Sequence, residues 1–273
     1  MLSRIPTITG LLLIAALLPL FAVNPERGYK AKPDKYGIEF HESVIKTPDA
    51  ARINTWTFQP LFEPSNAAKA GTTIIIAGGD AGNMSYLIPY ADGLRKQDFR
   101  VVSFDYRGFG ESSDFTTSRE VLYYDEFATD LQAVIANVKR LYPNDRIGVL
   151  GFSMGTIIAF QSVKPSLDFI AADSPVASVL KIVKRWSAKG ETLRYPPSGK
   201  SLEQTIKGIT IPIIIFAGKN DTFTPFDEAK SIVKGYETKR RLVEYSGGHL
   251  EGWKLGETYF STLKSFVRQH YPQ

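Results

Sequence analysis

The chain has 273 residues, 43% hydrophobic and 22% charged, with 17 Phe and 13 Tyr, which excludes a disordered protein; 22 Gly and 16 Pro in no repeating period exclude a collagen-like one. The absence of Cys excludes disulfides, thiolate metal sites, a cysteine nucleophile and a lipid-bearing cysteine. The net charge is +5, but no basic run is longer than Lys239, Arg240, Arg241, so it reads as solvated surface and not as a nucleic-acid footprint.

Residues 1–25 stand apart. Ile5 to Val23 is 19 residues without a charge, centred on LLLIAALLPLFAV, a length that can just span a bilayer. This segment reads as a membrane anchor. A cleavable export signal is the alternative, although a cut after Ala22 would leave Leu20 where a small residue is preferred. A buried soluble helix is disfavoured by the missing polar face and by Pro19. Arg27, Lys30, Lys32 and Lys35 follow the segment and only Arg4 precedes it, which favours a cytoplasmic domain; an export signal argues the reverse.

Residues 26–273 read as one catalytic-sized domain. GIEFHESVIKT and ARINTWTFQP alternate polar with apolar residues and form an N-terminal antiparallel hairpin. From Thr72 the pattern changes to short apolar runs, TTIIIA, RVVSF, RIGVL, DFIAA, IPIIIFA and RLVEY, as in a parallel sheet buried on both faces. Between and after them, helical periodicity covers 85–97, 119–141, 154–164, 226–235 and 257–270. An insert at about 174–208 opens with Ser174 as N-cap and Pro175 at the first helical position, with Val176, Val179, Leu180 and Val183 on one face. It is either ordinary packing or a small cap over a site.

The strand ending in Val149 and Leu150 runs into GFSMG and then a helix, which puts Ser153 at a sharp strand-turn-helix bend where Gly151 and Gly155 avoid crowding. A serine hydroxyl needs a base and a group that orients the base. His41 in the hairpin and His270 near the C-terminus read as surface or packing residues, whereas His249 follows the strand RLVEY through a Gly-rich loop at the sheet edge that carries Ser153. Asp221, in the loop GKNDTFTP, completes the chain order Ser, Asp, His; Asp173, after DFIAA, is its competitor, with loop capping as its other role. The N–H of Met154 and one from the loop IIIAGGDAGNMS would form an oxyanion hole.

The segments AGGDAGNMS, FDYRGFGESS, GFSMGT, DSPVAS, ITIPIIIFAGKNDTFTP and GGHLEG, in this order, make the chain from about Lys35 to Gln269 resemble an α/β-hydrolase. Within that superfamily it is most similar to membrane-anchored serine hydrolases, a group that includes protein depalmitoylases and bacterial relatives. The resemblance implies an α/β fold with a mostly parallel, doubly wound sheet, an N-terminal antiparallel hairpin and a small helical cap insert. It implies a Ser153, Asp221, His249 triad with backbone donors from Met154 and Asp80, no metal or organic cofactor, and a structural turn at Asp105 and Arg107. One departure matters: the family usually reads His-Gly-Asn-Ala-Gly-Asn in the oxyanion loop, and here Gly78 replaces the His and Asp80 the first Asn. A carboxylate beside a developing oxyanion opposes it unless Asp80 points outward.

Ser153 at the elbow excludes the Asp-dependent haloalkane and epoxide reactions, and about 70 residues before the sheet are too few for a propeller domain. The expectation is acyl transfer to water from a small-molecule or lipid-derived ester or thioester. One alternative is an aminopeptidase of the proline iminopeptidase type, in which Glu191 or Glu203 meets the substrate's amino group. The other is a non-catalytic, membrane-tethered binding protein that keeps the fold.

Overall fold

In the computed structural model, residues 22–61 and 71–272 are described. The expected anchor or signal falls almost wholly outside them; among the described residues no helix is long and apolar enough to cross a membrane.

In chain order the elements are β1 (Asn24–Pro25), β2 (His41–Lys46), β3 (Arg52–Phe58), β4 (Thr72–Ala77), β5 (Ala81–Gly82), α1 (Ile88–Arg95), β6 (Arg100–Phe104), α2 (Glu126–Leu141), β7 (Arg146–Phe152) and α3 (Met154–Gln161). They continue with β8 (Phe169–Asp173), α4 (Val179–Ser187), α5 (Leu202–Gly208), β9 (Ile213–Gly218), α6 (Phe226–Val233), β10 (Arg240–Tyr245) and α7 (Glu257–His270). Eight strands form one sheet in the order β10-β9-β8-β7-β4-β6-β3-β2. β2 and β3 pair antiparallel, as do β3 and β6, and the remaining neighbours are parallel.

Apolar runs serve a sheet buried on both sides because successive side chains point to opposite faces. Ile75, Val149, Ile170 and Ile215 pack with α2, α3 and α6 on one face. Their neighbours Ile74, Ile76, Leu150, Phe169 and Phe216 pack with α1 and α7 on the other. This is the doubly wound arrangement that the resemblance implies.

Two expected helix starts move. Residues 119–125 precede α2 instead of opening it: Val121 bridges Arg194 and Leu122 N donates to Arg194 O at 2.9 Å, so this stretch is spent on holding the insert. The insert helix begins at Val179 and not at Ser174, because Ser178 is its cap, its Oγ accepting from Lys181 N. Ser174 instead has φ 52° and joins the site described below. The helix face turns accordingly: Val179 and Ile182 are buried, whereas Leu180 is 46% exposed.

The described chain is packed from its first residues. Ala22 and Val23 are buried, and β1 pairs in parallel with β5, the strand that directly follows Asp80. Asn83 clamps this strap, its Nδ2 donating to the carbonyls of Glu26 and Gly28 at 3.1 and 2.8 Å. Tyr29 Oη donates to Asp105 Oδ2 at 2.8 Å, and Met84 N to Asp105 Oδ1 at 2.7 Å.

Burial pushes the Asp105 carboxyl up to about 7 against these bonds. The folded protein therefore holds a proton there that the unfolded chain releases from about pH 4 upward, and Asp105 costs stability progressively between pH 4 and 7. Asp105→Asn is expected to flatten that part of the pH profile, by on the order of 4 kcal/mol at most. Denaturant melts at pH 4.5 and 8 check this; equal slopes in both proteins would refute it.

Candidate active site

β7 runs into α3 through Ser153, whose φ of 49° and ψ of −112° lie outside the regions favoured by a non-glycine residue. The close approach of α3 to the sheet requires glycine at 155, where a Cβ would lie 2.3 Å from Ala77 O and 2.5 Å from Gly78 O. This packing holds the strained bend, and the Ser153 N–H donates to Asp173 O at 3.0 Å.

His249, in the loop after β10, reaches this serine. Its Nε2 lies 2.9 Å from Ser153 Oγ, and its Nδ1 lies 2.8 Å from Asp221 Oδ2. Asp221, in the loop after β9, is itself fixed: its Oδ1 accepts from Phe223 N and Thr224 N at 2.8 and 2.9 Å, and Thr224 Oγ1 donates to Oδ2 at 2.7 Å. Burial alone would raise the Asp221 carboxyl, but the bond and charge attraction to His249 and the Thr224 donors outweigh it and hold the group below its ordinary range. Asp221 thus stays ionised where an imidazolium would need it. Thr224, also 3.3 Å from His249 Nδ1, was missed by sequence reasoning; its signal was a hydroxyl three residues after the acid in a tight loop.

Met154 is the first residue of α3, so its N–H has no intrahelical acceptor and sits at the positive end of the helix. The loop Gly78–Asp80 lies against the serine, since a Cβ on Gly79 would be 3.5 Å from Phe152 O and 4.0 Å from Ser153 Cβ. Asn24 N donates to Asp80 O at 2.7 Å, tying this loop to the strap. The Asp80 carboxyl is not turned into open solvent. It is partly buried and within electrostatic reach of His249, and burial pushes it above its ordinary range.

The insert closes one side. Arg185 pairs with Glu228 and donates to Phe223 O at 2.8 Å, which draws α4 to the Asp221 loop. Ring centroids run from His249 to Phe223 at 5.2 Å and on to Trp186 at 5.9 Å, an apolar wall beside the imidazole. The other sequence candidates are elsewhere. His41 is exposed on β2, and His270 packs on Phe266 of α7. Glu191 and Glu203 are exposed on the insert and make no hydrogen bond or ion pair with Ser153, Asp221 or His249. Asp173 does not bond the His249 ring, whose Nδ1 is taken by Asp221. Arg107 is structural, forking onto Asp130 at 2.7 to 3.2 Å and onto Asp49 at 2.7 and 3.0 Å.

Residues 72–166 match a family model described as alpha/beta hydrolase fold. Among known proteins, the chain is 27% identical to the uncharacterized protein YfhR of Escherichia coli O157:H7, over 97% of this chain and 95% of that protein. It is 26% identical to the uncharacterized protein Rv2307c of Mycobacterium tuberculosis strain H37Rv, over 83% of this chain and 78% of that protein. Among solved structures, it superposes on the Pyrococcus furiosus esterase Pf2001 with a TM-score of 0.72 at 23% identity, over 90% of this chain and 99% of that one. It also superposes on XC6422 from Xanthomonas campestris, described as an a/b serine hydrolase without lid, with a TM-score of 0.61 at 20% identity, over 86% and 96%. The fold is that of an α/β-hydrolase.

Proposed function

We propose that this α/β-hydrolase-fold protein is a serine hydrolase that transfers an acyl group from an ester or thioester to water. The observation that carries the proposal is the hydrogen-bonded series Ser153 Oγ, His249 Nε2, His249 Nδ1, Asp221 Oδ2 on a strained elbow. His249 takes the Ser153 proton as Oγ attacks the acyl carbonyl, and Asp221 stabilises the imidazolium that forms. Negative charge developing on the carbonyl oxygen is met by the N–H groups of Met154 and Asp80. His249 then protonates the leaving oxygen or sulfur, and a water activated by His249 releases the acyl group and restores Ser153. The Phe223 and Trp186 wall favours an apolar acyl chain.

The test is a fluorophosphonate probe followed by a panel of acyl esters and thioesters. Stoichiometric labelling that disappears in Ser153→Ala and His249→Ala, with turnover of at least one acyl substrate, supports the reading. A folded wild-type protein that is never labelled would overturn it and leave the binding-protein alternative.

The Asp80 carboxyl makes a distinct expectation. Once ionised, it opposes the oxyanion, so Asp80→Asn is expected to raise kcat/KM by roughly 3- to 10-fold, with the gain growing as pH rises. A gain independent of pH, or none, would show that the carboxylate does not act on the oxyanion.

The proposal includes a tether to the membrane by the part of the uncharged run that precedes the packed Ala22 and Val23. The uncharged run ends where Ala22 and Val23 pack and β1 joins the oxyanion loop, so the tether would leave the domain beside the site. The full chain is expected in the carbonate-washed membrane pellet; a mature N-terminus near Val23 would instead identify a cleaved signal.

A further inference from the structure

The buried carboxyl of Asp173 has no part in that reaction, yet the residue is bonded to the segments that carry both reacting groups. Its main-chain carbonyl accepts the Ser153 N–H at 3.0 Å. Its side chain belongs to a cluster that holds the His249 loop on both sides of the histidine. On the C-terminal side, Leu250 N donates to Ser174 Oγ at 2.9 Å, and Ser174 Oγ donates to Asp173 Oδ1 at 3.3 Å. On the N-terminal side, Tyr245 Oη is 3.4 Å from Gly248 O and equally 3.4 Å from Asp173 Oδ1 and from Ser174 Oγ. Two residues of this cluster, Ser174 at φ 52° and Leu250 at φ 56°, are held in the left-handed region.

The carboxyl is an expensive choice for a purely structural clamp. Asp173 is fully buried, and the Tyr259 hydroxyl set against its carboxyl does not complete a well-formed hydrogen bond with Oδ2. The site is also closed around it: a Cβ on Gly252 would lie 2.4 Å from Oδ2, so this position must be glycine to admit the carboxyl. An asparagine or an apolar residue would remove the cost of burying a charge, whereas a carboxylate places negative charge near His249.

We propose that Asp173 is a positioning residue for His249: through Ser174 and Tyr245 it fixes the histidine loop relative to Ser153, and when ionised it strengthens those bonds and favours the imidazolium formed on attack. The inference rests on the serine-hydrolase reading of the site. The titratable groups around Asp173 are Tyr90 from α1, Tyr245 from β10, Tyr259 from α7 and His249 itself. Burial pushes all three tyrosines upward, so they remain neutral hydroxyls over the working range. Burial likewise pushes the Asp173 carboxyl up to about 7, against the donors around it and the attraction of His249. Its charge therefore changes in the range where the reaction would be measured.

The experiment compares wild type, Asp173→Asn, Ser174→Ala and Tyr245→Phe by fluorophosphonate labelling rate and by kcat and KM on an acyl ester, from pH 5.5 to 9. Circular dichroism melts establish that each variant is folded. Asp173→Asn is expected to match wild type within about 2-fold at pH 5.5 and to fall about 10-fold behind at pH 8.5, in kcat and not in KM. Ser174→Ala is expected to lose about 10-fold in kcat already at pH 5.5, because it loosens the loop whether or not Asp173 is ionised. If Asp173→Asn does not fold, a pH-dependent loss in Tyr245→Phe, which weakens one bond to the carboxylate, takes its place. A wild-type to Asp173→Asn ratio that is constant across pH, or variants that react at the wild-type rate, would overturn the inference while leaving the labelled Ser153 intact. A wild type that is not labelled at all would remove the serine-hydrolase reading instead.

Discussion

Ser153→Ala is expected to lower kcat/KM on any turned-over acyl substrate by roughly 10⁴- to 10⁶-fold and to abolish fluorophosphonate labelling. The size follows from what remains. Alanine keeps the backbone donors of Met154 and Asp80, so the residual rate reflects oxyanion stabilisation and binding without a covalent route. The Ser153 N–H bond to Asp173 O is a main-chain bond and survives, and alanine fits the 9% exposed position without a cavity. Stability is therefore expected to stay within about 1 kcal/mol of wild type or to rise slightly, since a site tuned for chemistry is seldom tuned for stability. Adding His249→Ala to Ser153→Ala should cost almost nothing more, because residues that act as a unit are not additive. A further large loss in the double variant would mean that His249 serves a reaction that does not pass through Ser153.

Much of this site was legible in the chain because its parts are local. The elbow is written in GFSMG: glycine at 155 lets the helix lie on Ala77 and Gly78, and the apolar run before it fixes the strand. Thr72–Ala77 was readable to the residue, since a strand buried on both faces leaves a continuous β-branched run between turn residues. Asp221 and His249 could be singled out as candidates because each follows such a run into a loop at one sheet edge. What the sequence concealed depends on long-range partners. Ser174-Pro175 has the pattern of a helix start, but Ser174 is bound to the histidine loop 76 residues away, and the helix waits for Ser178. Residues 119–125 carry helical periodicity, yet pair with Arg194 of the insert. Asn83 belongs to a motif read as part of the oxyanion loop, whereas its amide is spent on the carbonyls of the N-terminal strap. Asp173 was weighed as a rival to Asp221, and its place between the Ser153 backbone and the His249 loop came into view only through a main-chain carbonyl and the hydroxyls of Ser174 and Tyr245.

Arg107→Met is expected to destabilise the fold by about 3–5 kcal/mol, because it removes the partner of a carboxylate that is 0% exposed. Arg107 holds Asp130 by a two-nitrogen fork and also by its own N–H, which donates to Asp130 Oδ2 at 3.0 Å, so one residue supplies most of the compensation for this buried charge. Burial raises the Asp130 carboxyl even with Arg107 present. Without the guanidinium the group is left to bind a proton, and the deficit in the variant should shrink as pH falls and grow as pH rises. Asp49 contributes less: its side chain is 46% exposed, and water can replace the lost cation there. The charge explanation is separated from lost packing by the double variant Arg107→Met/Asp130→Asn, which keeps an acceptor for the residue 107 N–H but no buried charge. Recovery of most of the lost stability in urea melts at pH 8 is the expected result. A double variant no more stable than Arg107→Met would assign the loss to the contact of the guanidinium with the Phe115 ring and not to the carboxylate beneath it.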